Sequence, residues 1–267
     1  MIHDKRTDAR PASIKATLAR GQNQPPNPFA GLRVAVTGGT SGLGLALVRE
    51  LHNLSAQVAF LARRRDGVER VVGELTNARG IIGDVSKKEE IHPIAMQILG
   101  ALGGLDVLIN NASDLGPVPL ALLADTECEE FERALATNVL GPFRLTKALL
   151  GSLAASARDG HKAVVVNVSS DAAINPYPRW GAYGASKAAL RHLSRIWDEE
   201  LTAVGVRVLS LDPGDMDTPL HAAAVPDAEP STLKRPEAAA REIIEIIAAE
   251  LLRRTVESEA VAQEAVG

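Results

Sequence analysis

From Leu32 onward the chain alternates short, continuously apolar runs, rich in β-branched residues, with longer stretches of helical spacing. The runs are LRVAVT (32–37), QVAFLA (57–62), GIIGDV (80–85), LDVLIN (105–110), AVVVNVS (163–169) and VRVLSLD (206–212). Apolarity that continues from residue to residue, instead of skipping every second one, suits a parallel strand covered on both faces. The intervening segments are long enough for crossover helices, and the stretches near 127–155, 183–204 and 237–253 are well patterned for them. This predicts an α/β fold, a doubly wound parallel sheet in one domain. Such sheets bind ligands beyond the carboxyl ends of their strands. The polar segments gather at those ends: Thr37, Asp84, Asn110, Ser170 and Pro213 each close or follow a run.

The ends of the chain read differently. GQNQPPNPFAG (21–31) contains three prolines that can neither continue a helix nor enter a central strand, so residues 1–30 are expected to be a flexible tail and linker. Residues 31–253 are the expected catalytic domain, and 254–267 an expected C-terminal tail. Residues 219–236, rich in Pro and Ala, interrupt the periodicity before the last helix and read either as a cover over the crevice or as a surface connection.

Composition narrows the function. The chain has 267 residues, 46% hydrophobic and 23% charged, enough apolar material for a substantial core. A net charge of −4 argues against a broad surface for nucleic acid or anionic membrane. Cys128 is the single cysteine, which excludes an internal disulfide and a multi-cysteine metal site and fits a reducing compartment. The histidines show no metal-binding spacing, so no metal is expected. No run of about 18 apolar residues occurs and the N-terminus lacks a signal-like segment, so a cytoplasmic protein is expected.

Four short segments carry chemistry: 37–44, 110–113, 167–170 and 183–187. In AYGASKAAL, Tyr183 and Lys187 stand four apart, one turn of a helix, on one face. An ammonium beside a phenol favours the phenolate, which predicts an acid/base pair with a lowered tyrosine pKa. The spacing alone is also that of ordinary helix-surface neighbours. After the first strand, Thr37-Gly38-Gly39-Thr40-Ser41-Gly42-Leu43-Gly44 opens into a helix. Glycines allow a sharp turn and close backbone approach, and a helix N-terminus presents unpaired N–H groups to a pyrophosphate. The spacing is G-x-x-x-G-x-G, neither the G-x-G-x-x-G fingerprint nor a P-loop.

Taken in order, TGGTSGLG, Asn110-Asn111-Ala112-Ser113, Asn138, Ser170, Tyr183-x-x-x-Lys187 and Pro213-Gly214 resemble the short-chain dehydrogenase/reductase family, whose fold is Rossmann-like, over residues 32 to about 218. The resemblance implies roles. Tyr183 would be the catalytic acid/base, and Lys187 would lower its pKa and bond the nicotinamide ribose. Ser170, thirteen residues before the tyrosine, would hold the substrate oxygen, and Asn138 would support a water-linked proton path through Lys187. Gly38, Thr40, Ser41, Gly42, Leu43 and Gly44 would cradle the dinucleotide. Asp84 and Val85 would meet the adenine, Asn111 and Ala112 would wall the cofactor, and Pro213, Gly214, Met216 and Thr218 would close over it. Ser113 stands where the family most often has glycine, and no clear seventh strand follows the last helix.

The dinucleotide is read at the end of the second run. NAD-preferring relatives carry Asp where this chain has Ala62, followed by Arg63 and Arg64, and guanidinium groups attract a 2′-phosphate. NADP is expected over NAD. The whole reads as an NADP-dependent oxidoreductase interconverting a carbonyl and a secondary alcohol, a homodimer or homotetramer whose partners are small molecules. The competing readings are a non-catalytic dinucleotide sensor or scaffold on the same fold, which has no need of the Ser-Tyr-Lys set, and an epimerase or dehydratase, which usually needs a larger substrate domain. Leu115, Val118, Tyr177, Trp180 and Met216 are expected pocket walls.

Overall fold

A computed structural model describes residues 27–161 and 163–264. Six strands, β1 (Arg33–Thr37), β2 (Gln57–Ala62), β3 (Arg79–Ile82), β4 (Val107–Asn110), β5 (Ala163–Val168) and β6 (Val206–Leu211), form one sheet in the order β3-β2-β1-β4-β5-β6. All neighbours are parallel. The order reverses direction between β1 and β4, which is where a doubly wound sheet opens its ligand crevice. β3 stops at Ile82, so Asp84 lies in the loop that follows rather than in the strand.

Both faces of the sheet are covered, as the uninterrupted apolar runs require. On one face Val36, Ile109, Val164 and Val166 pack with Leu47 and Leu51 of α1 (Gly42–Asn53), and with Ile243 and Ile247 of the last helix. On the other, Leu108 and Val165 pack with Ile94 and Ile98 of α3 (Ile91–Leu102) and with Leu145, Leu149 and Leu153. Successive residues of one strand thus enter opposite layers, and neither layer tolerates a polar alternation. The remaining helices are α2 (Arg65–Glu74), α4 (Cys128–Leu135), α5 (Gly141–Arg158), α6 (Gly181–Leu201), α7 (Pro219–Ala224) and α8 (Pro236–Glu264). A π turn, Ala136–Leu140, separates α4 from α5 and carries Asn138.

The expected tail boundary needs correcting at residues 27–30. Phe29 is 2% exposed and belongs to the α1/α8 layer, and Asn27 Nδ2 donates to Leu54 O at 2.8 Å. Burying one phenylalanine contributes about 1.5–3 kcal/mol, enough to pin the end of a proline-rich segment to the domain. At the other end α8 continues past residue 253 into the expected tail. Residues 1–26 and 265–267 of the expected tails lie outside the described residues. No seventh strand occurs among the described residues.

Candidate active site

The first turn after β1 is built from contacts that only glycine permits. Gly38 has φ +71°, and a Cβ there would meet Ala112 Cα at 3.1 Å. A Cβ on Gly44 would lie 2.1 Å from Gly38 O and 2.5 Å from Asn111 Nδ2. Asn111 Nδ2 donates to Thr37 O at 2.9 Å and Gly38 O at 3.3 Å, while Thr37 Oγ1 accepts from the N–H groups of Asn111 and Ala112, each at 3.0 Å. These bonds clamp the turn to the end of β4 across the switch point. The clamped turn presents the start of α1, whose first N–H groups have no partner within the helix, to a cavity of about 610 Å³.

That cavity runs along the carboxyl edge of the sheet. Gly38, Thr40, Ser41, Gly42, Leu43 and Gly44 line it on the α1 side, and Asn111 and Ala112 line it at β4. Arg63, Arg64, Asp84 and Val85 line the end beyond β2 and β3. Arg64 forms an ion pair with Asp66 at 2.5 Å, and Arg63 forms none among the described residues. Asp84 Oδ1 accepts from Ser86 N at 3.0 Å and Ser86 Oγ at 2.8 Å, so half of that carboxylate is already engaged.

Beyond β6, Pro213, Gly214, Met216 and Thr218 complete the wall. The 213–218 loop is tied down by Lys234, whose N–H donates to Asp215 O at 3.0 Å and whose Nζ donates to Pro213 O at 3.1 Å. Thr218 Oγ1 caps α7 by accepting from His221 N at 3.2 Å. Pro219, Leu220, His221, Ala224 and Val225 line the cavity, so the first part of the 219–236 segment is a wall of the crevice rather than a surface connection.

Ser170, Tyr183 and Lys187 meet at the opposite end from the arginines. Ser170 follows β5 in extended backbone, and Tyr183 and Lys187 project from α6, 7% and 2% exposed. Lys187 Nζ donates to Val168 O at 2.7 Å and lies 5.4 Å from the centre of the Tyr183 ring. Trp180 packs edge-on against that ring at 5.6 Å. Burial pushes the phenol up to about 12, against the pull of hydrogen bonding with Ser170 and Ser113, and the carboxylates of Asp212 and Asp171 push it the same way. Burial also pushes Lys187 down to about 8, with Asp212 opposing.

The expected lowering of the tyrosine pKa is therefore reversed in this structure. Desolvation is the largest cause, and the Lys187 ammonium is bonded to the Val168 carbonyl rather than to the phenol. The phenol is held neutral, ready to donate.

Asn138 alone among the expected site residues does not line the cavity. It is fully buried, and its Nδ2 donates to Asp114 O at 2.7 Å and Ser186 Oγ at 2.8 Å. Its Oδ1 accepts from Asp114 N at 2.8 Å and Ser113 Oγ at 3.2 Å. The side chain thus fastens the loop after β4 to α6. Leu115, Tyr177, Trp180 and Met216 line the cavity as expected, whereas Val118 is 57% exposed and does not. Asp171 and Asp212 were not anticipated. Their adjacency to Ser170 and Pro213 was the available signal.

The dinucleotide set fits the group it is read for, because the glycine turn and the start of α1, with its unpartnered N–H groups, line the cavity. Among the described residues, no helix is long and apolar enough to cross a membrane.

The model of the short chain dehydrogenase family matches residues 33–229. A glucose 1-dehydrogenase of Gluconobacter oxydans is 32% identical over 206 residues, 75% of each protein. The crystal structure of a 3-ketoacyl-(acyl-carrier-protein) reductase from Brucella melitensis complexed with NADH superposes with a TM-score of 0.75 at 28% identity, covering 81% of this chain and 90% of that one. An alcohol dehydrogenase from Thermococcus sibiricus complexed with 5-hydroxy-NADP superposes at 0.72 with 27% identity, covering 81% and 90%. With the glycine turn, the switch-point crevice and the buried Tyr183–Lys187 pair in one cavity, this chain belongs to the short-chain dehydrogenase family of NAD(P)-dependent oxidoreductases.

Proposed function

We propose that the protein interconverts a carbonyl compound and a secondary alcohol using NADP(H). The observation that carries this reading is the meeting of Ser170, Tyr183 and Lys187 in the same cavity as the glycine turn and Arg63. A nicotinamide held by the glycine turn and Lys187 would supply or accept the hydride. Ser170 and Tyr183 donate hydrogen bonds to the substrate oxygen, where charge gathers, and Tyr183 then transfers its proton. Lys187 would hold the nicotinamide ribose and keep a positive charge near the phenol. The names of the relatives span both directions, a dehydrogenase and a reductase. A panel of ketones assayed with NADPH tests the reading: oxidation of NADPH by at least one of them supports it, and binding without oxidation across the panel rejects it.

Support for NADP comes from Ala62, which puts no carboxylate at the end of β2, and from Arg63, which is free to meet a 2′-phosphate. Arg64 shares its charge with Asp66 and contributes less. Arg63→Ala is expected to raise KM for NADPH about tenfold to a hundredfold, the effect of one charge-assisted bond, and to leave KM for NADH nearly unchanged. Equal effects on both would reject NADP selection by this residue.

The pH dependence follows from the same site. The ratio kcat/KM for NADPH reports ionisations of the free enzyme. Lys187 is charged below about 8 and loses its proton as pH rises through that value, whereas Tyr183 remains neutral until about 12. The ratio is expected to be level near neutrality and to fall above pH 8, by about tenfold per unit for a single essential proton. A profile flat to pH 10 would contradict an essential charged Lys187.

The family's usual oligomer faces, α5 and α6, are both formed here, and a homodimer or homotetramer is proposed on them. A cytoplasmic location is proposed from the single, exposed Cys128.

A further inference from the structure

The hydrogen bonds around Ser170 point to a narrower substrate. We propose that the protein acts on carbonyl compounds bearing a hydrogen-bond donor on the carbon next to the carbonyl, α-hydroxy ketones and their vicinal diols foremost, and that Asp171 reads that donor. The inference rests on the carbonyl-reductase reading above.

Ser170 Oγ donates to Asp171 Oδ1 at 3.1 Å and accepts from Ala172 N at 3.2 Å. A serine hydroxyl has one hydrogen. Two acceptors lie within its reach, Asp171 Oδ1 and the phenol oxygen of Tyr183, and a hydrogen given to a substrate carbonyl is given to neither. Asp171 Oδ1 then has no other protein donor among the described residues. A simple ketone has nothing to put there. A substrate with O–H or N–H on the adjacent carbon replaces the donor that Ser170 withdrew.

Distance sets which carbon. Ser170 Oγ and Asp171 Oδ1 are 3.1 Å apart, so a molecule that accepts from one and donates to the other must present its two polar atoms side by side, as an O=C–C–OH unit does. Asp171 is not free to swing away. Its Oδ2 accepts from Tyr177 OH at 2.6 Å, and the hydrogen bond and the carboxylate charge hold that phenol in its neutral, donating form. Among the described residues no Lys or Arg pairs with Asp171, so no protein cation competes with the substrate for it. Asp171, Tyr177 and Ser170 all line the cavity.

In the proposed reaction the carbonyl carbon would take hydride from NADPH, which becomes NADP+, Tyr183 gives its proton to the oxygen, and an α-hydroxy ketone becomes the vicinal diol, with Asp171 accepting a hydrogen bond throughout. An α-ammonium group offers the same donor with added charge, and the test separates the two.

The experiment compares kcat/KM with NADPH for 2-hydroxyacetophenone, 2-methoxyacetophenone and protonated 2-aminoacetophenone. The methoxy compound keeps the electron withdrawal and loses the donor. Wild-type protein is expected to prefer the hydroxy over the methoxy ketone by at least about tenfold, the effect of one bond to a charged acceptor. Asp171→Ala is expected to bring that ratio close to one without changing the dissociation constant for NADPH, which reports that the fold and the cofactor cleft survive. Should that variant fail to fold, Tyr177→Phe, which removes the anchor of Asp171 and little volume, is expected to lower the ratio in the same direction.

A higher rate with the ammonium ketone assigns the donor as a cation, and a higher rate with the hydroxy ketone assigns it as neutral. Either upholds a donor read by Asp171. Equal use of hydroxy and methoxy ketones, or a ratio that persists in Asp171→Ala, would overturn the inference while leaving the carbonyl-reductase reading intact. So would turnover of simple ketones with none of these three. Oxidation of NADPH by no carbonyl compound of any kind would overturn that reading itself, and this inference with it.

Discussion

Replacing Tyr183 with phenylalanine is expected to lower kcat by at least about a hundredfold, the smaller end of what general acid/base catalysis contributes. The substitution removes one oxygen from a side chain that is 7% exposed and packed edge-on against Trp180, so almost no volume changes. The ring contacts with Trp180 and with the Lys187 ammonium survive. Removing the hydroxyl also relieves a polar group whose burial is unfavourable to its charged form, and unfolding should occur within a few degrees of wild type. NADPH should bind with nearly unchanged affinity, because the glycine turn, Arg63 and Lys187 are untouched. Measuring kcat and the NADPH dissociation constant on one preparation decides the matter. Near-normal turnover would remove Tyr183 from the chemistry.

Gly44→Ala is expected to weaken NADPH binding by tenfold or more. The added Cβ would lie 2.1 Å from Gly38 O, a backbone atom, and 2.5 Å from the Asn111 amide that clamps the turn to β4. Gly38 O is backbone, and the Asn111 amide is held in place by its bonds to Thr37 O and Gly38 O. The turn itself must move, and overpacking of this kind costs about 1–3 kcal/mol. Part of the cost appears as lost stability and part as a cradle displaced from the start of α1. Gly151→Ala in α5 is the control, since a Cβ there meets nothing within 4 Å and alanine is the better helix former by about 1 kcal/mol. Calorimetry of both variants with and without NADPH separates the effects. Unaltered binding in Gly44→Ala would mean that the turn is not the cradle.

Much of this was legible in the chain, for physical reasons that can be traced to residues. A parallel strand covered on both faces needs apolar neighbours in sequence, and Val164, Val165 and Val166 enter alternate layers as that rule requires. Gly38 and Gly44 were readable because no other residue fits where two backbones nearly touch.

What was not legible depended on contacts between distant segments or on solvent exclusion. Phe29 lies among prolines that suggest a loose linker, and only the fold shows the pocket that takes its ring. The spacing of Tyr183 and Lys187 gives proximity, but the direction of the phenol's pKa is decided by burial, which spacing does not report. The π turn at Asn138 turns its amide toward the 113–114 loop, a geometry with no sequence signature in TNVLGPF. Asp171 meets Tyr177 only because a short 3₁₀ turn, Asp171–Ala173, folds the loop back.

The central claim is that a buried neutral phenol completes hydride transfer on a substrate held in this cavity. A single-turnover experiment tests it most directly: protein in excess over NADPH is mixed with a ketone while absorbance at the reduced-nicotinamide band and alcohol formation are followed together. The account predicts loss of the band with one alcohol formed for each NADPH consumed, fast in wild type and slowed at least about a hundredfold in Tyr183→Phe. Tight NADPH binding with a band that persists in wild type across a broad set of ketones would contradict it, and would mark the cavity as a sensor's.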